Sequence, residues 1–304
     1  MLLWLAGNAW LRERLPRLAF AKRAARRFMP GEDLDDALAA ARAFGAEGIG
    51  SILTHLGEDV ATAEEADAVA THYEGVIERL ASEGIDAYVS LKLTQLGLEQ
   101  DPDRAYERCA RVAARAAAHG SFLVVDMESS RLVDPTLDLY ERLLTAFPGS
   151  GICLQAYLRR TAADLQRLLP QRPFVRLVKG AYREPPEAAY QTRREVDASY
   201  VTLATTMLQA SASGAEVGIG LGTHDIDLIG LIETQARALG LDARAFEVEM
   251  LYGIRVDQQR RLAREGYRVR DLISYGEAWY PWYMRRLAER PANVAFALRQ
   301  VVPW

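Results

Sequence analysis

Short apolar, β-like runs alternate with helical segments along almost the whole of this chain, and that alternation restricts the fold more than any other feature. The runs are Gly50–Thr54, Ala87–Leu93, Ser121–Asp126, Gly151–Tyr157, Phe174–Val178, Val217–Gly222, Phe246–Leu251 and Val269–Ser274. Between them lie segments with apolar residues at helical spacing, among them 64–82, 104–118, 136–146, 198–210, 227–239 and 258–264. A period that switches repeatedly between strand and helix predicts parallel βα units, not a sandwich or a bundle. Eight such units in 304 residues predict an α/β protein of the TIM-type (β/α)8 class, with residues 1–45 as an N-terminal helical segment. A doubly wound sheet would need a glycine fingerprint at a strand-to-helix turn, whereas Gly218, Gly220 and Gly222 alternate within one strand run.

No Ser/Gly/Pro-rich linker divides the chain, so a single domain over 1–304 is expected. A net charge of −4 with both signs interspersed gives no reason to expect nucleic acid as a partner. Cys109 and Cys153 show neither zinc-site spacing nor the density of a secreted scaffold, which fits a reducing cytoplasm. No apolar run reaches membrane-spanning length. The arginine-rich stretch 11–27, interleaved with Leu15, Leu18, Ala19 and Phe20, reads either as an amphipathic helix packed on the domain or as one resting on an anionic membrane surface. Pro16 interrupts the pattern and favours the first reading.

If the fold is a barrel, chemistry belongs at the carboxyl ends of its strands. Those ends carry Thr54-His55, Lys92, Asp126-Met127-Glu128, Gln155-Ala156-Tyr157, Lys179-Gly180-Ala181-Tyr182, Thr223-His224-Asp225 and Glu249-Met250-Leu251-Tyr252. Polar groups gathered at one rim are costly to bury unless they are used or paired. Lysine is scarce: of 37 basic residues only Lys22, Lys92 and Lys179 are lysines, and the last two end apolar runs. A compact ammonium cannot be replaced by a flat guanidinium, so both are candidate site residues, including as Schiff-base nucleophiles of a lyase. Near the C-terminus, Trp279-Tyr280-Pro281-Trp282-Tyr283-Met284-Arg285-Arg286 joins aromatic walls to two arginine forks. Such forks can clamp a carboxylate, or they can line a solvated face with Glu289 paired to Arg285. The four histidines form no metal-ligand spacing, and there is no GxSxG elbow.

Taken in order, Asp126-Met127-Glu128, Gln155-Ala156-Tyr157, Arg176-Leu177-Val178-Lys179-Gly180-Ala181-Tyr182, Thr223-His224-Asp225, Met250-Leu251-Tyr252-Gly253 and Arg285-Arg286 resemble the successive motifs of the proline dehydrogenase family, in its monofunctional bacterial form. The resemblance runs from roughly the first strand to the last helix. It implies a distorted (β/α)8 barrel that binds FAD at its carboxyl face and oxidises proline to Δ1-pyrroline-5-carboxylate, passing electrons to a quinone or another acceptor. By motif match, Met127, Gln155, Lys179, Gly180, Ala181, Thr223 and His224 would contact the flavin, with Arg176 near its reactive nitrogen. Lys92, Arg285 and Arg286 would hold the substrate carboxylate, Asp126 would organise the pocket, and Glu289 would anchor the last helix toward the cofactor. A quinone acceptor would give the basic N-terminal stretch a purpose at a membrane surface.

The chain departs from the family at Leu272 and Trp282, where tyrosine is common, and at Ser274, where proline is common. Leucine opens space and removes a hydroxyl, while tryptophan adds bulk opposite it. Within the family a smaller residue at the Leu272 position accompanies acceptance of hydroxyproline. Proline and a related cyclic amino acid such as hydroxyproline are therefore both open as substrates. A homologue that binds flavin without turnover is the remaining reading.

Overall fold

In the computed structural model, which describes residues 25–57 and 60–280, eight strands close into a barrel in which every neighbouring pair is parallel. The strands are β1 (Gly50–His55), β2 (Ala87–Lys92), β3 (Leu123–Asp126), β4 (Gly151–Gln155), β5 (Phe174–Val178), β6 (Gly218–Gly222), β7 (Glu247–Leu251) and β8 (Arg268–Tyr275). Helix α1 (Leu34–Gly45) precedes the barrel. The others alternate with the strands: α2 (Ala63–Ser82), α3 (Pro102–Ala118), α4 (Val133–Ala146), α5 (Thr161–Leu168), α6 (Arg193–Ala212), α7 (Ile226–Ala238) and α8 (Val256–Arg264). The strand order and the TIM-type class agree with the sequence reading. Strand ends differ by one or two residues, because pairing stops where the neighbouring strand stops and not where the apolar run does. Helix α5 lies outside the named helical patterns. It is only eight residues long, too short to show a clear apolar period.

Local sequence explains where the helices begin. Thr62 and Thr192 each form a capping box with the glutamate three residues on, Glu65 and Glu195. Asp101 caps α3 ahead of Pro102, whose missing N–H is harmless in a first turn. Asp225 caps α7 through the backbone N–H of Leu228. This last cap sits at the barrel mouth and has a second partner there.

Side chains alternate between the two faces of each strand. Val89, Leu91, Val125, Leu177, Leu221 and Val248 are fully buried against the helical ring. The lumen is different, because it is polar and charged. The Tyr88 hydroxyl on β2 lies within hydrogen-bond distance of both Glu247 and Glu249 on β7, and these strands are not neighbours, so the contacts cross the barrel interior. The glycines of β6 make room for this filling. A Cβ on Gly218 would meet the Phe174 ring, one on Gly220 would collide with the Glu249 carboxylate, and one on Gly222 would meet Val178. Thus the Gly-x-Gly-x-Gly run serves packing and not phosphate binding.

Candidate active site

A cavity of about 880 Å³ opens at the carboxyl end of the barrel, within the roughly 300–1,000 Å³ typical of ligand and cofactor clefts. Lys92, Asp126, Met127, Gln155, Arg176, Lys179, Gly180, Ala181, Thr223, His224 and Leu272 all line it. They come from six strands and the loops that follow them. Trp282, Arg285, Arg286 and Glu289 lie outside the described residues.

The floor is an ion network. Asp126 accepts from Lys92 Nζ at 3.3 Å, from Arg176 Nη1 at 2.9 Å and from Ser90 Oγ at 2.7 Å. On its other side Arg176 Nε donates to Glu249 Oε2 at 2.5 Å. The side chains of Arg176 and Glu249 are 3% and 2% exposed, so this pair is withdrawn from solvent. Burial opposes the Arg176 charge, but Glu249 and Asp126 outweigh it and hold the guanidinium firmly protonated. Burial pushes Glu249 up to about 7, with Arg176 pulling the other way. The Cys153 thiol, also in the cavity wall, is pushed up to about 12 by burial and is no thiolate nucleophile.

A second network holds the rim. Lys179 Nζ donates to Asp197 at 2.5 Å and to Asp225 at 3.0 Å, while Arg193 bridges the same two carboxylates. Burial works against ionisation of Asp225, yet the Lys179 contact keeps its carboxyl below the usual range. The N-cap of α7 is thereby tied to the end of β5. His224 Nε2 accepts from the Leu251 N–H at 3.0 Å, which assigns its proton to Nδ1 in the neutral ring. Gln155 donates to the Met127 carbonyl at 3.0 Å and so joins the ends of β3 and β4.

Among the described residues, four buried polar atoms in the cavity wall have no hydrogen-bond partner: Thr54 Oγ1, Ser274 Oγ, Arg176 Nη2 and Gln155 Oε1. An unmatched donor and an unmatched acceptor in a buried wall are costly unless a ligand completes them. Gly180, at φ +114°, lies against the Tyr157 ring, with which any Cβ would collide. Gly180→Ala is therefore expected to displace the loop after β5 and cost about 1–3 kcal/mol through backbone strain. Reduced retention of a bound cofactor on gel filtration, together with a lower urea midpoint, would register it.

Comparison with known proteins gives the family. The family model described as proline dehydrogenase matches residues 37–299. The proline dehydrogenase of Deinococcus radiodurans is 37% identical over 280 residues, 90% of this chain and 89% of that one. Proline dehydrogenase 1 of Bacillus subtilis (strain 168) is 34% identical over 278 residues, 91% and 90% of the two chains. The chain belongs to the proline dehydrogenase family. Among solved structures, proline utilization A from Bdellovibrio bacteriovorus inactivated by N-propargylglycine has a TM-score of 0.82 at 24% identity, covering 88% of this chain and a third (33%) of that one. That likeness speaks for the barrel.

Within this cavity and its floor, several residues carry no motif that sequence alone reveals. Ser90, Tyr88, Glu247 and Glu249 build the floor, and Asp197 and Arg193 build the rim. The available signal was a charge at an inward position of a strand otherwise apolar: Glu247 and Glu249 alternate with Val248 and Met250. At the two departures that are described, Leu272 and Ser274 both face the cavity. Among the described residues, no helix is long and apolar enough to cross a membrane.

Proposed function

We propose that this protein is an FAD-dependent dehydrogenase that oxidises proline, or a closely related cyclic amino acid such as hydroxyproline, to the corresponding Δ1-pyrroline-5-carboxylate-type imine. The observation that carries this reading is the convergence of all eleven described candidate residues on one cavity whose wall holds the unpartnered Arg176 Nη2 and Gln155 Oε1. The donor set fits a flavin, which offers both hydrogen-bond acceptors and a ring N–H. Arg176 would hold the reactive edge of the ring system. Met127, Gln155, Gly180, Ala181, Thr223 and His224 would hold the remainder, with Lys179 at the rim and Glu289 anchoring the last helix. When bound, FAD supplies the two-electron acceptor for a hydride.

Binding and orientation fall to the chain. Lys92, Arg285 and Arg286 would fix the substrate carboxylate, and Asp126 orients Lys92 and Arg176 by accepting from both. The arginine beside the flavin favours the negative charge that reduction brings. Leu272 would bound the substrate ring, with Trp282 opposite, and the space left by the leucine supports a ring substituent. The acceptor is proposed to be a quinone or a similar oxidant, with the arginine-rich stretch 11–27 as the place of any peripheral membrane contact.

Lys92 and Lys179 each donate to carboxylates, so neither is set up as a free amine for Schiff-base chemistry. The reading is tested by adding proline, hydroxyprolines and pipecolate anaerobically to FAD-loaded protein. Bleaching of the flavin by proline or hydroxyproline is the expected result. Protein that takes up no flavin, or flavin that none of these amino acids bleaches, would overturn it. In the latter case borohydride trapping of a lysine with a keto acid would point to a lyase instead.

A further inference from the structure

We infer that Glu249, Tyr88 and Glu247 form a proton-sharing carboxylate pair beneath Arg176, and that Glu249 is thereby a positioning residue whose protonation sets the charge of the cavity floor. The geometry is that of two acids converging on one phenol. Tyr88 Oη lies 3.0 Å from Glu247 Oε1 and 3.1 Å from Glu249 Oε1, and all three residues are buried. A phenol has one proton to donate, so with both carboxylates ionised one of them faces the phenol oxygen without a donor. One shared proton removes the conflict: Glu249 donates to Tyr88, and Tyr88 donates to Glu247. The outer oxygens are fixed by cations, Glu249 Oε2 by Arg176 Nε at 2.5 Å and Glu247 Oε2 by Arg270 Nε at 3.1 Å. Neither acid can therefore swing away from the phenol to escape the shortage.

The remaining groups in the lumen are Lys92 from β2, Asp126 from β3 and Cys153 from β4, while β6 brings only Gly220 against the Glu249 carboxylate, and Tyr200 of α6, bonded to the Leu177 carbonyl outside the barrel, is felt by Glu249 through the wall. Burial and the two acids push Tyr88 well above its ordinary range, so the phenol remains a neutral donor. Burial also lifts Glu249 to about 7, which places its proton within reach of neutral pH. Arg270, on the lower side, leads on to Asp86, whose side chain is 72% exposed. The column thus reaches solvent at the end of the barrel remote from the cavity.

With Glu249 ionised, the Arg176 charge is neutralised from below. With Glu249 protonated, Asp126, which Lys92 also shares, is left to offset that charge, and more of it is felt at the cavity. Any negative charge that arrives above Arg176 must then favour the protonated form, and by linkage the protonated form must favour that charge. This redox consequence rests on the flavin reading, but the shared proton does not. In the step concerned the substrate carbon gives up a hydride, which FAD, when bound, would accept, while the lone pair of the neutral amine closes the C=N bond of an iminium. The acid pair takes up one proton from solvent, and the N–H proton of the iminium leaves when the imine forms.

Two measurements separate the parts. Infrared titration of the flavin-free protein in an Asp271→Asn background, from about pH 5 to about pH 9, should show a buried protonated carboxylic acid that disappears near neutrality and is absent from Glu249→Gln. An unchanged signature in Glu249→Gln would overturn the shared proton, whether or not the protein binds flavin. In FAD-loaded protein the flavin midpoint potential should show an inflection near neutral pH that Glu249→Gln abolishes. Retention of the inflection would overturn the link to Arg176. Tyr88→Phe keeps both carboxylates but removes their connection, so it should move both transitions. It carries the test if Glu249→Gln does not fold.

Discussion

Arg176→Ala is expected to be the most damaging single substitution in this protein, costing about 3–5 kcal/mol of stability and abolishing flavin retention. The cost is not the loss of an attraction alone. Arg176 stands between Asp126 at 2.9 Å and Glu249 at 2.5 Å in the barrel lumen, and its removal leaves two carboxylates facing each other with Lys92 alone to offset them. Leaving a buried charge without its partner is far more expensive than replacing a whole pair. Lysine is no substitute, because one ammonium cannot meet Glu249, Asp126 and Ser90 from a planar fork. Urea unfolding of Arg176→Ala, Glu249→Gln and the double variant would check this. The double variant should recover part of the loss, since the uncompensated Glu249 charge is gone. Strict additivity of the two losses would contradict the coupling.

Asp271→Asn is expected to do the reverse and stabilise the protein, by about 2–4 kcal/mol at about pH 8 and progressively less toward about pH 4. Asp271 lies on the helix-facing side of β8, fully buried, and neither of its oxygens has a hydrogen-bond partner. Its register neighbour Ser51 and the nearby Gln259 each carry an unpartnered oxygen as well. The Gln259 amide nitrogen is engaged with the carbonyls of Leu251 and Ile254, so the oxygen cannot simply be exchanged for a donor. Burial raises Asp271 from 3.8 to about 7. In the unfolded chain the carboxyl returns to its ordinary value, so between those pH values the native state binds the extra proton. Stability from this group is complete below the unfolded value and is lost as pH rises through the folded one. Asparagine stays neutral throughout and can donate to Gln259. Thermal unfolding across that window should show the wild-type curve falling with pH and the variant falling less. A residual slope should persist, because Glu249 is raised in the same direction. Equal differences at every pH would contradict the assignment.

Much of the architecture was legible from local pattern. Phe174–Val178 is one strand in both descriptions, and α2, α3 and α6 lie where the apolar spacing put them. The rim was legible for the same reason: in a barrel, strand order alone brings Lys92, Asp126, Gln155, Arg176, Thr223 and His224 to one end. What could not be read was partnership. Arg176 and Glu249 are 73 residues apart, and nothing within either segment announces the other. Asp271 reads as a polar interruption of an apolar strand. The packing of α1 and α8 over β8 makes it a buried acid.

The sequence by itself determined the fold class, the family and eleven of the described side chains that line the mouth, because period, spacing and motif order are properties of short segments. The tertiary structure decided which of those side chains are buried together and which atoms among them lack a partner. It also raised the affinity of the Glu249 and Asp271 carboxyls for a proton. These are set by desolvation and by charges brought within a few ångströms from strands distant in the chain, and such energies exist only after the barrel has closed.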